Sequence, residues 1–511
     1  MSKIYLLIVA TLFSFNSFGQ VNFCTKELES FPTRNAGRIK PLYVLANDTL
    51  KFISGNTKFA EMSATEAFCK LSLQAFGMPE MVPLTIKVEH VKAKELLGLK
   101  DSDTGFVAKD ADLHIGTVET EIAQLQENDG YKKELTKVSQ RIKAYQGIIE
   151  ARIWTVPEPK GESFEFVTLG QFLTEERVEA ARTKAPLPVN YLFSEAKDHF
   201  VKVEGDGYLL ELTYFKMNPF LWAMLISILA IVFLVSIKNK IPALVLIGLS
   251  IAIQIAAMTM RVLISGRAPV TNMYETVMFS GFGALIIGCI IYSYRRKETM
   301  FLLAGLGCNI LSLMMMKLAH GMLEPGISPL VPVLRDNFWL STHVTTIILS
   351  YAALALSWLI ANGLLIRSRF FTVSRQEYRY AMDLAYTCIK WGVVLLAAGI
   401  ILGGIWADYS WGRFWGWDPK ETWSLIVLLI YMAILHGKST TWIPPQRFIP
   451  LVAAAFMSVM MAWFGVNYIL ASGLHSYGFS EGGAIFLGSF FAVQTFIILV
   501  AIIKPKEAKD S

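Results

Sequence analysis

The sequence predicts an all-α polytopic membrane protein with about nine transmembrane helices, preceded by a signal peptide and an exported, mainly helical soluble domain. Three observations support this fold class. The chain of 511 residues is 54% hydrophobic and only 17% charged, whereas soluble chains are about 25% charged. The charge is uneven, since residues 1–217 carry 55 charged side chains and residues 218–511 carry 33. From Pro219 onward, apolar runs recur at about 20 residues, the length that crosses a bilayer.

The sign of the charge also differs between the two parts. Residues 1–217 have a net charge of −3, and residues 218–511 have a net charge of +9. This modest excess on a mostly apolar chain does not predict a basic face for nucleic acid. We therefore expect membrane lipid as the surroundings of the second part and no nucleic-acid partner.

Residues 1–19 have the features of a secretory signal peptide. Lys3 precedes an almost wholly apolar stretch from Ile4 to Phe15, and small residues surround Gly19, after which we expect cleavage. An uncleaved membrane anchor is the alternative. In either case residues 20–217 lie outside the cytoplasm and form the exported domain.

Apolar periodicity within the exported domain predicts helices at residues 57–76 and 117–149, the second interrupted near Gly130. Pro157 and Pro159 indicate a looser stretch. Its cysteines, Cys24 and Cys69, either pair in the oxidising compartment or remain free thiols. The chain has no C-x-x-C motif, which excludes a zinc ribbon, a thioredoxin-like site and a haem-attachment site of its own.

The second part begins with a first transmembrane span within residues 218–240. We predict nine spans at residues 218–237, 241–260, 276–294, 299–318, 341–366, 386–406, 421–437, 447–470 and 482–503. If residue 217 lies outside, the inner connections hold 14 Lys and Arg residues and the outer connections hold 5. The positive-inside rule therefore agrees with the signal peptide. It predicts a multi-pass protein whose exported domain and loop 407–420 lie on the outer side of the membrane, and we expect this membrane to be a bacterial inner (cytoplasmic) membrane with the periplasm outside.

Residues 407–424 concentrate aromatic side chains at the outer surface. Four tryptophans fall within thirteen residues, and they are Trp411, Trp415, Trp417 and Trp423. An interfacial aromatic belt is one explanation. However, Gly412 and Gly416 stand among the rings, and glycines let a backbone approach a ligand closely. The pattern favours an aromatic shelf, meaning these four rings gathered under a large planar ligand.

Asp418 has a structural interpretation of its own. It precedes Pro419 and stands three residues before Glu421, so we expect it to be the N-cap of the next helix. Glu421 would complete a capping box, and Pro419 suits the first helical position. Asp418 is then first of all a residue that holds the shelf in register.

Three histidines are candidate functional residues, and two of them are candidate haem ligands. His343 and His475 lie at the outer ends of the fifth and eighth predicted spans, and two imidazoles on opposite faces of a porphyrin satisfy a six-coordinate iron. His436 lies about 22 Å along the seventh span from Glu421 at 1.5 Å per residue. An ionisable residue at that depth indicates function, with snorkelling beside Lys438 as the alternative. His320 is a weaker outer candidate, because no aromatic cluster adjoins it.

The run Trp411-Gly412-x-x-Trp415-x-Trp417-Asp418-x-Lys420-Glu421-Thr422-Trp423-Ser424 resembles the "WWD" signature of the haem-handling proteins of cytochrome c maturation. The segment from Ser265 to Glu275 favours one branch, the CcsA (ResC) component of the System II cytochrome c synthase. The resemblance is strong over residues 241–503, which implies a CcsA-like membrane domain at 241–511. The span within 218–240 is then a candidate remnant of a CcsB-like half.

This resemblance implies a function. Haem b (iron protoporphyrin IX) would be the bound substrate, and His343 and His475 would be its external axial ligands at the shelf. The chain would act as a holocytochrome c synthase (haem lyase) that joins haem to the C-x-x-C-H motif of apocytochrome c, whose thiols need a separate reducing system. A haem exporter or chaperone that delivers haem without ligation is the alternative, and an unrelated secondary transporter is a more distant one.

The resemblance also assigns His436 as one of two haem ligands inside the membrane. The family places the other on the first span of the CcsB (ResB) half, and neither residues 4–15 nor residues 218–237 contain a histidine. Either a separate CcsB/ResB-like membrane subunit supplies that ligand, or the inner site works with one histidine.

Overall fold

The structure, a computed structural model, describes most of the chain. The described residues are 23–77, 82–126, 130–295, 297–319, 321–327, 336–470 and 483–503. The chain divides into two compact units, Met1–Met217 and Asn218–Ser511. The predicted signal peptide lies outside the described residues.

Over its described residues, the first unit is mainly helical and also contains four two-stranded antiparallel sheets. Its α-helices are Leu42–Ser54, Ala64–Ser72, Val91–Leu96, Ala111–Gln124, Gly130–Ile149, Leu169–Phe172, Glu175–Arg182, Pro188–Glu204 and Leu209–Met217. Its hairpins pair Pro32–Asn35 with Arg38–Pro41, Lys58–Phe59 with Met62–Ser63, Thr85–Lys87 with Gly105–Val107, and Thr155–Lys160 with Ser163–Thr168. The rings of Trp154, Phe31 and Phe193 meet in a fully buried core.

Two local predictions in this unit need correction. The helix expected from residue 57 begins at Ala64, because Ser63 caps it by accepting a hydrogen bond from the Glu66 amide. The looser stretch expected at Pro157 and Pro159 is a β-strand. Because this sheet has only two strands, each proline can lie where no ladder hydrogen bond is needed.

The cysteines of the first unit are joined. Cys24 and Cys69 form a disulfide whose Cα atoms are 5.7 Å apart. Both residues are buried, at 5% and 0% exposure. The bond ties the start of the described chain to the helix Ala64–Ser72.

The second unit confirms the prediction of a polytopic helical protein. Among the described residues, nine helices are long and apolar enough to cross a membrane. They are Pro219–Ser236, Ile241–Ser265, Met273–Tyr294, Met300–Leu318, Asn337–Phe370, Arg375–Trp411, Pro419–Ser439, Pro445–Leu470 and Gly483–Ile502, and are called here the first to ninth membrane helices. The sixth is much longer than predicted. Ser374 caps its start, and Gly412, with a left-handed φ of 67°, ends it.

Two membrane helices are locally widened. The fifth contains a π-helical segment at Leu340–Val344, and the eighth is π-helical over Met461–Leu470. π-helical turns are rare and frequently mark functional sites. The first segment contains His343, and the second ends five residues before His475 in the sequence.

A buried polar network joins three of the helices near the start of this unit. Asn309 exchanges hydrogen bonds with Gln254 and accepts one from Ser227, and the hydroxyls of Ser227 and Ser250 lie 2.8 Å apart. All four side chains are fully buried. Hydrogen bonds between membrane helices hold them together, so the first membrane helix packs as part of the bundle.

Candidate functional site

A cavity opens at one end of the second unit. Odd-numbered membrane helices begin there and even-numbered ones end there, and this is the end that the positive-inside pattern predicts to be outside. Its volume is about 170 Å³, below the range of roughly 300–1,000 Å³ for pockets that enclose drug-sized ligands. The lining residues that recur below are Thr271, Asn272, His343, Trp406, Phe414, Trp415, Glu421 and Trp463.

His343 lies in the cavity wall, within the π-helical segment of the fifth membrane helix. Its Nδ1 is 2.9 Å from the carbonyl oxygen of Gly399 on the sixth helix. A carbonyl oxygen only accepts hydrogen bonds, so Nδ1 carries the proton. In the neutral imidazole Nε2 is then the nitrogen with the lone pair.

The sixth helix brings its backbone close to this histidine through adjacent glycines. A Cβ atom added at Gly403 would lie 2.6 Å from Cε1 of His343. A Cβ atom added at Gly404 would instead lie 2.5 Å from Cζ of Phe414. Gly403 therefore leaves space for the imidazole of His343, and Gly404 leaves space for the ring of Phe414 in the loop that follows the helix.

The predicted shelf is divided between the cavity and the surface. Trp415 lines the cavity and meets Trp417 edge to face, with ring centroids 5.9 Å apart. Trp417 is 69% exposed and has a left-handed φ of 57°, which is costly for a large side chain. Trp411 and Trp423 are half-buried and, like Trp417, are not among the cavity-lining residues.

The predicted capping box at the start of the seventh helix is confirmed. Asp418 is the N-cap, and its Oδ1 accepts a hydrogen bond from the Lys420 amide at 2.8 Å. The Glu421 carboxylate accepts from the amides of Asp418 and Gly416, at 3.2 and 2.7 Å. These two amides flank Trp417, so Glu421 holds the strained turn between them.

A buried ion cluster supports the opposite wall. Glu275 lies 2.6 Å from Arg261 and 3.6 Å from Arg267, and its side chain is 1% exposed. The same carboxylate accepts hydrogen bonds from the amide and hydroxyl of Thr271. Asn272 then caps the third helix by accepting from the Glu275 amide at 2.8 Å. The cluster thus fixes two residues, Thr271 and Asn272, that line the cavity.

Sequence reasoning missed several wall residues. Trp406 is 9% exposed, and its ring centroid lies 5.9 Å from that of His343. Trp463 lies on the π-helical segment of the eighth helix and donates to the Thr276 hydroxyl at 3.1 Å. Both tryptophans stand inside apolar runs, where they resemble ordinary membrane-core residues. The nearby pair Gly403-Gly404 is the signal that could have pointed to Trp406.

Of the other candidate histidines, His436 is the one that lies among the described residues, and it does not line this cavity. His436 is exposed on the seventh membrane helix near its far end, and its imidazole makes no hydrogen bond to the described part of the chain. His475 and the weaker candidate His320 lie outside the described residues.

Comparisons with known proteins show what the chain resembles. Residues 270–475 match the family model described as "Cytochrome C assembly protein". A cytochrome c biogenesis protein CcsA from Guillardia theta is 34% identical over 239 residues, covering 42% of this chain and 78% of the relative. The CcsA protein from Chlamydomonas reinhardtii is 33% identical, covering 48% of this chain and 70% of the relative. Protein NrfI from Wolinella succinogenes is 25% identical over 491 residues, 86% of this chain and 53% of the relative.

Proposed function

Because the chain belongs to the CcsA family of cytochrome c biogenesis proteins, we propose that it holds haem b in the cavity and promotes its attachment to apocytochrome c. His343 and His475 are the axial ligands in this proposal, and the cavity faces the periplasm of a bacterial inner membrane. The observation that carries the proposal is the fixed tautomer of His343. A histidine that ligates a metal characteristically donates its other ring N–H to a carbonyl or carboxylate.

The residues of the cavity suit a porphyrin. Trp406, Phe414, Trp415 and Trp463 contribute aromatic rings to the walls, and ligand pockets are typically apolar with a few polar groups that set orientation. His343 lies among these rings, and its Nε2 would ligate the iron of a bound haem.

The attachment reaction needs positioning more than it needs a reactive residue of this chain. Each cysteine thiol of the C-x-x-C-H motif adds across a vinyl group of haem. An S–C bond and a C–H bond form, and the S–H bond and the π bond break, so no oxidant or reductant is consumed in the step. Holding vinyl and thiol at reacting distance supplies much of the acceleration. The thiols belong to apocytochrome c and reach the site reduced by a separate thiol-reducing system.

The WWD loop has two separate tasks in this proposal. Trp415 contacts the porphyrin from the cavity wall, and the other three tryptophans complete the shelf at the mouth, where apocytochrome c arrives. Asp418 and Glu421 hold the loop through their capping box. The strained Trp417 turn stays closed because Glu421 accepts hydrogen bonds on both sides of it.

We propose that His436 serves a second haem position shared with a CcsB/ResB-like membrane subunit. Leu429, Met432 and Ala433 precede His436 at helical spacing, and all four are exposed on one face. An ionisable side chain facing hydrocarbon is costly, so a protein partner is the favourable neighbour. The relative NrfI, of which the match covers only 53%, extends well beyond the region that corresponds to this chain.

Co-expression tests this function. The chain, with and without a CcsB/ResB-like subunit, is expressed beside an apocytochrome c in a host without its own maturation system. Covalently bound haem in the cytochrome, measured by haem staining after denaturing electrophoresis, is the expected result when the partner is present. Haem-loaded protein without covalent product would support the exporter alternative. Absence of haem from purified wild-type protein would refute haem binding altogether.

A further inference from the structure

Three contacts at one level of the bundle concern the orientation of a single imidazole. Nδ1 of His343 is 2.9 Å from the Gly399 carbonyl oxygen, Gly403 stands against the ring, and Trp406 meets the ring edge to face. We propose that Gly399 and Gly403 are positioning residues that set both the ring plane of His343 and its ligating nitrogen, Nε2. This inference rests on the proposed function, because it assigns a nitrogen to the iron of haem.

The Gly399 carbonyl determines which nitrogen of His343 carries the proton. The Gly399 carbonyl is part of the backbone, so its position follows the sixth helix and is independent of side-chain rotamers. An N–H held by a carbonyl raises the basicity of the opposite ring nitrogen and fixes the plane of the ring. His343 is therefore oriented before a ligand arrives, and little reorganisation is needed on binding.

The space for the imidazole ring of His343 depends on glycine at position 403. A Cβ at Gly403 would lie 2.6 Å from Cε1, 3.0 Å from Nδ1 and 3.3 Å from Nε2 of His343. The imidazole would have to move, and the hydrogen bond to Gly399 would lengthen. Gly399 itself would clash with Ile347, whose Cδ1 lies 2.6 Å from its added Cβ. Small residues four apart let two membrane helices approach closely, and here the approach brings a carbonyl to an imidazole.

The positioning role of Gly403 can be distinguished from any contribution of this residue to helix stability. Alanine is a better helix former than glycine, so helix stability does not favour glycine at position 403. At Gly363 on the fifth helix and Gly248 on the second, an added Cβ would have no described atom within 4 Å apart from the backbone of its own helix. Gly404 differs from Gly403 only in its neighbour, which is Phe414. The chain thus offers two neutral controls and one control that disturbs the loop.

The first experiment compares four variants of the full chain purified with haem. Gly403→Ala should fold with normal yield and lose the low-spin ferrous spectrum, with haem affinity about 10- to 100-fold lower, and added imidazole should restore the spectrum. Gly363→Ala and Gly248→Ala should match the wild type. Gly404→Ala displaces Phe414 in the same cavity wall, so it should lower haem affinity, but the haem that binds should keep the histidine-ligated spectrum. A wild-type spectrum and affinity in Gly403→Ala would overturn the proposal.

The second experiment tests the nitrogen directly. In His343→Gly, exogenous 4-methylimidazole and imidazole can ligate the iron and still donate an N–H to Gly399, whereas 1-methylimidazole can only ligate. After normalisation to their affinities for free haem in the same detergent, the two donors should bind about 2- to 10-fold tighter than 1-methylimidazole. The methyl group of 4-methylimidazole controls for size. Equal binding of all three would refute the hydrogen bond as a positioning device.

These outcomes are distinct from failure of the proposed function. If the wild-type protein takes up no haem in either experiment, haem binding itself is refuted. If the wild type binds haem through His343 but Gly403→Ala and the imidazole series show no difference, only the positioning role is refuted.

Discussion

The surroundings of His343 and His436, at opposite ends of the membrane unit, differ in burial and in contacts. At the cavity end, His343 is held by a backbone carbonyl, flanked by Trp406 and admitted by a glycine. At the other end, His436 lies exposed on a helix face beside Leu429 and Met432, which are 59% and 49% exposed. The first environment is built from five helices of this chain, and the second presents one helix face to its surroundings.

The difference bears on which site the chain can form alone. The cavity supplies walls, an oriented imidazole and an anchored loop from its own residues. The His436 face supplies one imidazole and apolar surface. We therefore expect the cavity to take up haem without a partner and the His436 position to require one, and the following predictions test this contrast.

The largest expected effect is on stability at the cavity end. Glu275→Gln removes the counter-charge of Arg261 inside the protein, and breaking a buried ion pair costs about 3–5 kcal/mol. Glu377, at the opposite end of the bundle, pairs with Arg367 at the surface, where such a pair is worth about 0–1 kcal/mol. Thermal unfolding in detergent should show a much lower midpoint for Glu275→Gln than for Glu377→Gln. Equal midpoints would contradict the assignment of Glu275 as the anchor of the cavity wall.

The second prediction concerns ligation. His343→Ala and His475→Ala should each lose the low-spin ferrous spectrum of the purified chain, and their haem affinity should fall by more than the roughly 10- to 100-fold caused by loss of an outer-shell partner. Imidazole should restore the spectrum by entering the vacant position. Absorption spectra of reduced protein measure this. An unchanged spectrum in both variants would exclude these histidines as ligands.

His436→Ala is the matched variant from the other end. In the chain alone, it should leave haem bound from outside unchanged. In the complex with a CcsB/ResB-like subunit, it should remove one of two haem populations. Loss of haem from the isolated chain in His436→Ala would contradict the contrast between the two ends.

Sequence alone predicted the membrane architecture well, because the length of an apolar run shows directly whether a helix can cross a bilayer. The nine spans and the capping box at Asp418 were predicted from local pattern and are present in the structure. The end of the sixth helix was not, because its last turns carry polar residues such as Asp408 and Ser410 beyond the apolar run. Its end depends on Gly412 in a left-handed conformation.

The candidate site was predicted only in part, because its walls depend on packing between helices. His343 and Trp415 were predicted and line the cavity. The contact between His343 and Gly399 joins residues 56 positions apart, and no local pattern encodes such a pairing. The role of Glu275 likewise depends on Arg261, which lies on a different helix.

The third prediction uses two capping boxes found in the described part of this unit. Asp418→Ala and Ser374→Ala each remove an N-cap, at a cost of about 0.5–2 kcal/mol of stability. Only Asp418→Ala should also lower haem content, because its helix carries the loop of the cavity. Asp418→Asn retains a capping oxygen and should be close to the wild type. If Asn is as damaging as Ala, measured by thermal unfolding and haem content, Asp418 has a direct role at the ligand.

The smallest expected effect concerns the aromatic loop, where Trp415 lines the cavity wall and Trp417 is exposed at the cavity mouth. Trp415→Ala removes a ring that lines the cavity. An aromatic contact of this kind is worth about 0.5–1.5 kcal/mol beyond burial, so haem affinity should fall about 2- to 10-fold. Trp442 is 77% exposed at the opposite end of the bundle, and Trp442→Ala should leave haem affinity unchanged.

Substitution of Trp417 tests whether this residue contacts haem or the arriving apocytochrome c. The residue is exposed and its backbone is left-handed, so Trp417→Gly relieves strain while it removes the ring. If Trp417 serves the arriving apocytochrome, haem affinity measured by titration should stay within twofold of the wild type, while covalent attachment in the co-expression assay falls. A loss of haem affinity as large as that of Trp415→Ala would show that Trp417 belongs to the wall. The four tryptophans would then act as one surface under the porphyrin, and the division between wall and mouth would be wrong.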